Sequence, residues 1–478
     1  MTMRSCFLER PTKYFIALAA VIFLAVVLVN DGFMALDEYW VGITRYIPAQ
    51  TSSLKTLVTI DDVKSPLQMM PMHGVAQLAL AVGIDSPYFQ YRSVIAILAI
   101  INFALLIFAF LKFSEVMHLS DRERNLLLLV FTFYFGSSFS FTRPMYESIA
   151  APWLALAAVW ALRYDLHQRT LDLIWGVVFA SMAFVLRQQL GFCALIFVLL
   201  PVIKKNVRHF FIACGVGLAF FIAAGIPDYF LRGQFHYSLL NLTVYNYQHG
   251  ADYGQKPITF YPLLIIAISL SPFFVKKYPS EVLQTSFKRL RSIWIILFLF
   301  VFLHSLFPQK WERFLISILP LLLFLIFPFL NHLQKNFRAH RARLVSLYAL
   351  NGILFFSASF FPPQKNLIEM ARYLDVHPEI KKIHRIHDTP GWITEAFILN
   401  KQFQFVEAKD EDLPLVNWQD CGNALVLAKH DLNSHQELLN RLNLKAQFEV
   451  NLIEQVAYRL NPKNNARRVQ LNLFSGCF

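Results

Sequence analysis

Two carboxylates, Asp37 and Glu38, stand side by side in the segment ALDEYWVG, just after the apolar run that ends near Asn30. A positioned carboxylate can accept the proton that a hydroxyl must lose when it attacks an electrophilic carbon. Asp37 is the first choice for such a base and Glu38 the second. Further along the chain polar residues gather in short links between apolar runs. Arg143 and Glu147 lie in FTRPMYES, and Arg187 in VLRQQLG. His249, Asp252, Tyr253 and Lys256 lie in NYQHGADYGQKP, and His304, Lys310, Glu312 and Arg313 in HSLFPQKWERF. Cations aimed at one place stabilise negative charge that grows on a leaving group. Arg313, Lys310 and Arg187 are the candidates, with Arg143 and Lys256 beside them and His304 as a hydrogen-bond donor. Each signal also has a plainer reading. The acidic pair suits a solvated loop, Arg143 with Glu147 suits a four-spaced pair at a helix end, and Lys310 and Arg313 suit interfacial anchors.

The elements that hold these residues are membrane helices. The chain is 56% hydrophobic and 16% charged, and Phe alone supplies 47 residues, too much apolar surface for a soluble fold of this length to hide. We expect an all-α polytopic membrane protein with about eleven transmembrane helices. The candidate spans are 14–30, 93–111, 125–141, 147–162, 172–186, 189–203, 210–226, 258–275, 292–307, 312–330 and 344–361. The first lacks a small-residue cleavage signal and reads as a retained helix rather than a leader. The links alternate in charge. One set carries Arg4, Arg10, Lys13, Lys112, Arg122, Arg124, Arg163, Arg169, Lys204, Lys205, Arg208, Lys276, Lys277, Lys335 and Arg338. The other is poor in Lys and Arg for its length. Positive residues stay on the cytoplasmic side, so the N-terminus is expected in the cytoplasm and every candidate site residue on the periplasmic or lumenal face. Charged groups near membrane depth face a cavity or a partner, and their shared side points to an anionic, lipid-linked substrate.

The domain division expected is a transmembrane core over 1–361, with an outer first-loop subdomain at 31–92, and a small extracytoplasmic α/β domain over 362–478. In that tail QFQFVEA, NALVLA and AQFEVNLIEQVAYRL read as strands around a helical SHQELLNRLN. The net charge of +13 is spread between apolar segments, which speaks for membrane orientation and against nucleic acid. The five cysteines offer no zinc site, no His/Asp/Cys set has metal-ligand spacing and no phosphate-cradling glycine-rich loop is present, so neither a metal nor a cofactor is expected. Cys421 and Cys477 either pair or stay free.

The motif order resembles glycosyltransferase family 22, the membrane mannosyltransferases of GPI-anchor and N-glycan-precursor assembly, within the C superfamily. LDEYW is similar to that family's first-loop Pro-Asp-Glu-Tyr/His-x-Gln motif, with Leu36 in place of Pro. In NLTVYNYQHGADYGQKPITFY, residues Asn246, Gly250, Tyr253, Gly254, Pro257 and Tyr261 match a family loop in which Lys256 replaces His. In HSLFPQKWERF, His304, Ser305, Lys310, Arg313 and Phe314 match, while Gln309 and Trp311 depart. The resemblance runs in order from about residue 31 to 410 and is closest to the GPI-anchor branch.

The resemblance implies transfer of a mannosyl residue from a polyprenyl-phosphate sugar to an acceptor hydroxyl on a glycan or glycolipid, with inversion and without metal. Asp37 or Glu38 would then be the base, the cations would meet the phosphate, and Tyr253 and Trp40 would stack on sugar. Three alternatives stand beside it: another sugar (arabinose, glucose or an amino sugar), a lipid-linked-glycan transporter, and an oligosaccharide polymerase. A transporter wants ionisable residues at mid-span, whereas these cluster at one rim.

Overall fold

The computed structural model describes residues 10–33, 38, 63–250, 255–386, 404–462, 465 and 468–476. Asp37, Trp40, Asp252, Tyr253 and Cys477 lie outside the described residues. Two compact units emerge. The larger contains Ala96–Phe356 with the chain up to Val27 and a short stretch ending at Pro71. The smaller contains Met72–Ile95, the chain from Ser357 onward and a stretch beginning at Leu28.

The chain is mostly helical. The helices used below are α1 (Arg10–Val29), α2 (Pro87–Val116), α3 (Asp121–Phe133), α4 (Tyr146–His167), α5 (Thr170–Leu186), α6 (Ile196–Ile203), α7 (Val207–Arg232), α8 (Tyr237–His249), α9 (Arg291–Leu306), α10 (Leu319–Lys335) and α11 (Phe337–Phe360). Among the described residues six helical segments are long and apolar enough to cross a membrane, or seven if the bent pair ending in α9 counts as one span. The other expected spans fall short of that length in the structure. The run 125–141 is broken into α3 and the five-residue helix Ser137–Phe141. The run 258–275 is α-helical only over Phe260–Ile268 and resumes as a 3₁₀ turn at Ser271–Phe274, because Leu270 between them takes a left-handed φ of 52° two residues before Pro272. Runs 172–186 and 189–203 fold as shorter apolar helices.

Helix α4 is the axis of the larger unit. Its sequence AAPWLALAAVWAL sets small side chains along the middle, and Ala150, Ala151, Ala155, Ala157, Ala158 and Ala161 are all buried. Small residues let neighbouring backbones approach closely where lipid supplies no hydrophobic drive between helices. Of the hydrophobic window of α4 83% is buried, against 11% for α7, which marks α4 as central and α7 as peripheral. Beside it, Phe113 and Phe110 of α2 pack on Phe324 of α10 at ring distances of 4.2 and 4.8 Å.

Ion pairs fasten α4 at both ends. Near its C-terminus Asp165 receives Arg291 Nε at 2.7 Å and Lys204 Nζ at 3.1 Å, joining α4 to the start of α9 and the end of α6. Arg163 binds Asp172 of α5 at 2.9 Å across the two-residue turn whose Gln168 has a left-handed φ of 52°. On the same basic rim Glu123 of α3 accepts Lys335 of α10 at 2.7 Å and Asn331 at 2.8 Å. Near the N-terminus of α4, Glu147 pairs with Arg187 at the exit of α5. Glu147 and Asp165 are eighteen residues apart on one 22-residue helix, or about 27 Å along its axis.

The smaller unit carries a five-stranded mixed sheet of order β2-β1-β3-β5-β4, with β1 Lys382–Arg385, β2 Gln404–Glu407, β3 Asn423–Ala428, β4 Asn443–Phe448 and β5 Leu471–Ser475. β1 runs parallel to β2 and β3, and β5 antiparallel to β3 and β4. All six residues of β3 are buried, as its unbroken apolar run requires of a central strand. Two expectations for the tail are corrected. AQFEVNLIEQVAYRL continues as a strand only to Phe448, and Leu452–Leu460 is a helix. The Asn451 side chain caps it by accepting from the Glu454 N–H at 2.9 Å. SHQELLNRLN is helical only over Gln436–Leu439, after a 3₁₀ turn. Cys421 is disulfide-bonded.

Candidate functional site

The short turn before α4 and the abrupt end of α5 bring the site's charges to one rim. Helix Ser137–Phe141 stops at Thr142, and Arg143 and Pro144 lead to an extended Met145 before α4 begins. Arg143 therefore stands ahead of the helix rather than on it. Its guanidinium is fully buried and lies 4.7 Å over the Phe139 ring. Glu147, in the first turn of α4, is buried with its carboxylate shared between two arginines from distant segments. Arg187 Nη2 lies 2.9 Å and Arg313 Nε 3.7 Å from its Oε1. Arg187 ends α5 in an extended conformation, φ −145°, before a 3₁₀ turn, and so points off the helix at the rim. Arg313 sits in the 3₁₀ segment Glu312–Ile318 that leads into α10. Phe314 lies under both cations, at 4.9 Å from Arg187 and 5.4 Å from Arg313. One carboxylate between two guanidiniums leaves a net positive charge in a half-dry place, where it acts strongly on an anion.

The remaining candidates take other positions on that rim. His304, in the last turn of α9, is buried and stacks on Phe300 at 3.9 Å, with its Nδ1 2.9 Å from the Phe300 carbonyl. That nitrogen must carry the proton, which leaves Nε2 an acceptor in the neutral ring. Lys310 is turned into its own loop. Its ammonium donates to the Lys256 carbonyl at 2.9 Å and to the Phe307 carbonyl at 2.5 Å, and burial pushes its pKa down. Lys256 pairs with Glu312 at 2.7 Å, and its N–H donates to the Pro308 carbonyl at 3.3 Å. These bonds zip the link before Phe260 to the link before α10. Tyr261 completes the seam, its hydroxyl 3.3 Å from the Trp311 N–H. In the smaller unit Glu38 is fully buried and accepts from the Tyr91 hydroxyl at 3.2 Å.

Beside the arginine pair opens a small cleft. Gln189, Phe192, Asn246, His304, Gln309 and Phe314 are among its lining residues. Gln189 and Phe192 were not singled out by sequence reasoning, and Gln309 was noted only as a departure from a motif. Asn246 and Phe314 were read only as matches to a motif, and nothing in the sequence said that they face one cavity.

Known proteins place this architecture. The chain matches the Alg9-like mannosyltransferase family over residues 60–394. No curated protein matches it significantly. Among solved structures it is similar to ArnT from Cupriavidus metallidurans in the apo state, with a TM-score of 0.59, 12% identity and 97% of each chain covered. It is also similar to ArnT from the same organism bound to undecaprenyl phosphate, with a TM-score of 0.57, 11% identity and again 97% of each chain covered. The fold is thus one shared with a membrane protein of that kind, and the family match covers the α4–α10 rim with its buried arginines. From residue 60 to 394 the chain belongs to the Alg9-like mannosyltransferases, and it is a multi-pass membrane glycosyltransferase.

Proposed function

We propose that the protein moves a mannosyl residue from a polyprenyl-phosphate sugar to a hydroxyl of a glycan or glycolipid acceptor, with inversion and without a metal. The observation that carries this reading is the buried Arg187–Glu147–Arg313 cluster at one rim of the larger unit. A phosphate diester that leaves with growing negative charge is stabilised by fixed guanidiniums that need no reorganisation. A structure of similar fold holding undecaprenyl phosphate supports a donor of that lipid type. In this reading Asp37 takes the acceptor proton, and Glu38, held by Tyr91, orients the acidic motif. Arg143 adds charge at depth, His304 and Lys310 shape the donor pocket, Lys256 fixes the loop that carries Tyr253, and Tyr253 and Trp40 stack on sugar. The rim faces the periplasm or lumen and the N-terminus the cytoplasm, because the opposite end of α4 collects Arg163, Lys204, Arg291 and Lys335. The short apolar helices complete about eleven crossings, with residues 1–361 as the core and 362–478 as an extracytoplasmic domain.

The decisive test uses purified protein with labelled polyprenyl-phosphate mannose, glucose and arabinose. Asp37→Asn keeps the side chain's size but removes the base, and is expected to cut turnover by about a hundred- to ten-thousand-fold with donor affinity kept. Glu38→Gln is expected to cost less. Near-normal turnover in Asp37→Asn with a dead Glu38→Gln swaps the two roles, and full activity in both places the base elsewhere.

A further inference from the structure

We propose that the cleft beside the arginine pair holds the uncharged sugar ring of a lipid-phosphate sugar, and that the amides of Gln189, Asn246 and Gln309, with His304, read its hydroxyl groups. The inference rests on the lipid-phosphate donor proposed above and adds the part of the donor that the arginines do not address.

Three amide side chains from three separate segments line one cavity: the 3₁₀ turn after α5, the end of α8 and the loop after α9. A side-chain amide presents an acceptor and a donor side by side, and a sugar hydroxyl both gives and takes a hydrogen bond. Neighbouring hydroxyls on a pyranose therefore match an amide in a way that a lone cation or anion does not. Among the described residues that line the cleft none is Asp, Glu, Lys or Arg. His304 adds a polar atom of known sense. Its Nδ1 is spent on the Phe300 carbonyl, so Nε2 accepts from a hydroxyl. Phe192, Phe307 and Phe314 also line the cleft, and flat apolar rings suit the C–H face of a pyranose.

Position ties this cavity to the donor. Phe314 belongs to both features: one wall of the cleft is the ring on which Arg187 and Arg313 rest, at 4.9 and 5.4 Å. A phosphate held by these guanidiniums carries its sugar one bond away, on the cleft side of Phe314. The chemistry also selects among sugars. An amino sugar brings an ammonium that needs a carboxylate, and among the described residues near the cleft Glu147 is already shared by two arginines and Glu312 is paired with Lys256. A neutral hexose meets amides without leaving a buried charge unpaired.

A glycan acceptor would bring the same neutral ring, so the test separates the two sources. Full-length protein in detergent is titrated with undecaprenyl phosphate, its mannose conjugate and its 4-amino-sugar conjugate, with methyl α-mannoside as a competitor. The mannose conjugate should bind at least about tenfold more tightly than bare undecaprenyl phosphate, which is the scale of one or two net hydrogen bonds. Asn246→Leu and Gln309→Leu should each erase most of that gain while leaving the affinity for bare undecaprenyl phosphate unchanged, which also reports that the variants are folded. Should Asn246→Leu lose the bare lipid as well, Gln309→Glu decides: it should raise the amino-sugar conjugate and lower the mannose conjugate. Equal affinity of the wild type for bare and mannosylated lipid, or a gain that survives both leucine variants, overturns the sugar site while the lipid-donor reading stands. Competition by methyl α-mannoside against a glycan acceptor but not against the mannose conjugate assigns the cleft to the acceptor and overturns it too. Failure of bare undecaprenyl phosphate to bind removes the donor reading itself.

Discussion

At the scale of single residues, Glu147 is the carboxylate on which the arginine rim is built. The plainer reading of the sequence makes Arg143 and Glu147 a four-spaced pair at a helix end. In the fold, Arg143 lies before the helix, and the partners of Glu147 are Arg187 and Arg313. The residue types were legible because charge is rare in so apolar a chain, but the pairing was not, since it depends on which helix ends meet. Two expectations follow. Arg187→Ala and Arg313→Ala each remove charge present in both ground and transition state, so donor affinity should fall by about ten- to a hundredfold, more than turnover at saturation, as equilibrium binding beside single-turnover rates would show. Arg187→Lys should restore only part of the loss, because an ammonium cannot reproduce a planar fork. Glu147→Gln acts differently. It leaves two guanidiniums facing each other in a buried place, and should lower unfolding stability by about 3 kcal/mol in thermal or denaturant unfolding.

Between elements, the basic rim is tied by two carboxylates. Asp165 gathers Arg291 and Lys204, and Asp165→Asn should loosen α4, α6 and α9 together, seen as a fall of several degrees in melting temperature. Glu123 is a pH-sensitive tie. Burial pushes its carboxyl up, but hydrogen bonds from Lys335, Asn331 and Ser120 outweigh it and hold the pKa at about 2, below the ordinary 4.5. The folded state thus binds fewer protons than the unfolded one between those values. The stability from this tie is complete above about pH 4.5 and is lost as pH falls toward 2. Unfolding midpoints measured from pH 6 to pH 2.5 should decline less steeply in Glu123→Gln than in the wild type. If the two slopes agree, the tie contributes nothing. Element existence was largely readable from the apolar runs. What was not readable was where they break: Leu270 with its left-handed backbone, the split at Tyr134–Gly136, and the helix after Asn451, whose cap outweighs an apolar pattern that suits a strand equally well.

For the whole molecule, the two charge collections at opposite ends of α4 predict opposite exposure across a sealed membrane. Single cysteines at Gln309 and at Arg208 should react with an impermeant thiol reagent from opposite faces of intact vesicles, and labelling of both from one face would refute the orientation. The composition and the Lys/Arg alternation made a polytopic membrane protein legible from the start. The cleft was not legible, because its walls come from α8, the end of α5 and the loop after α9, and no local pattern records that meeting.

The separation of those two collections also fixes a length. Glu147 and Asp165 pin paired charge to the two ends of a helix whose middle is rich in alanine and leucine, about 27 Å apart. A rod with both ends anchored in this way prefers a bilayer whose oily layer has the same depth, and mismatch is taken up by tilt at a cost that grows with each ångström. Since the buried arginines are mounted on one of these ends, a change in lipid thickness should bear on the donor site directly. Reconstituted in phosphatidylcholines with monounsaturated chains from about 14 to 22 carbons, the protein should turn over fastest where the hydrocarbon depth is near 27–30 Å and slow on either side. A flat profile across the series would mean that α4 does not gauge the membrane in which it works.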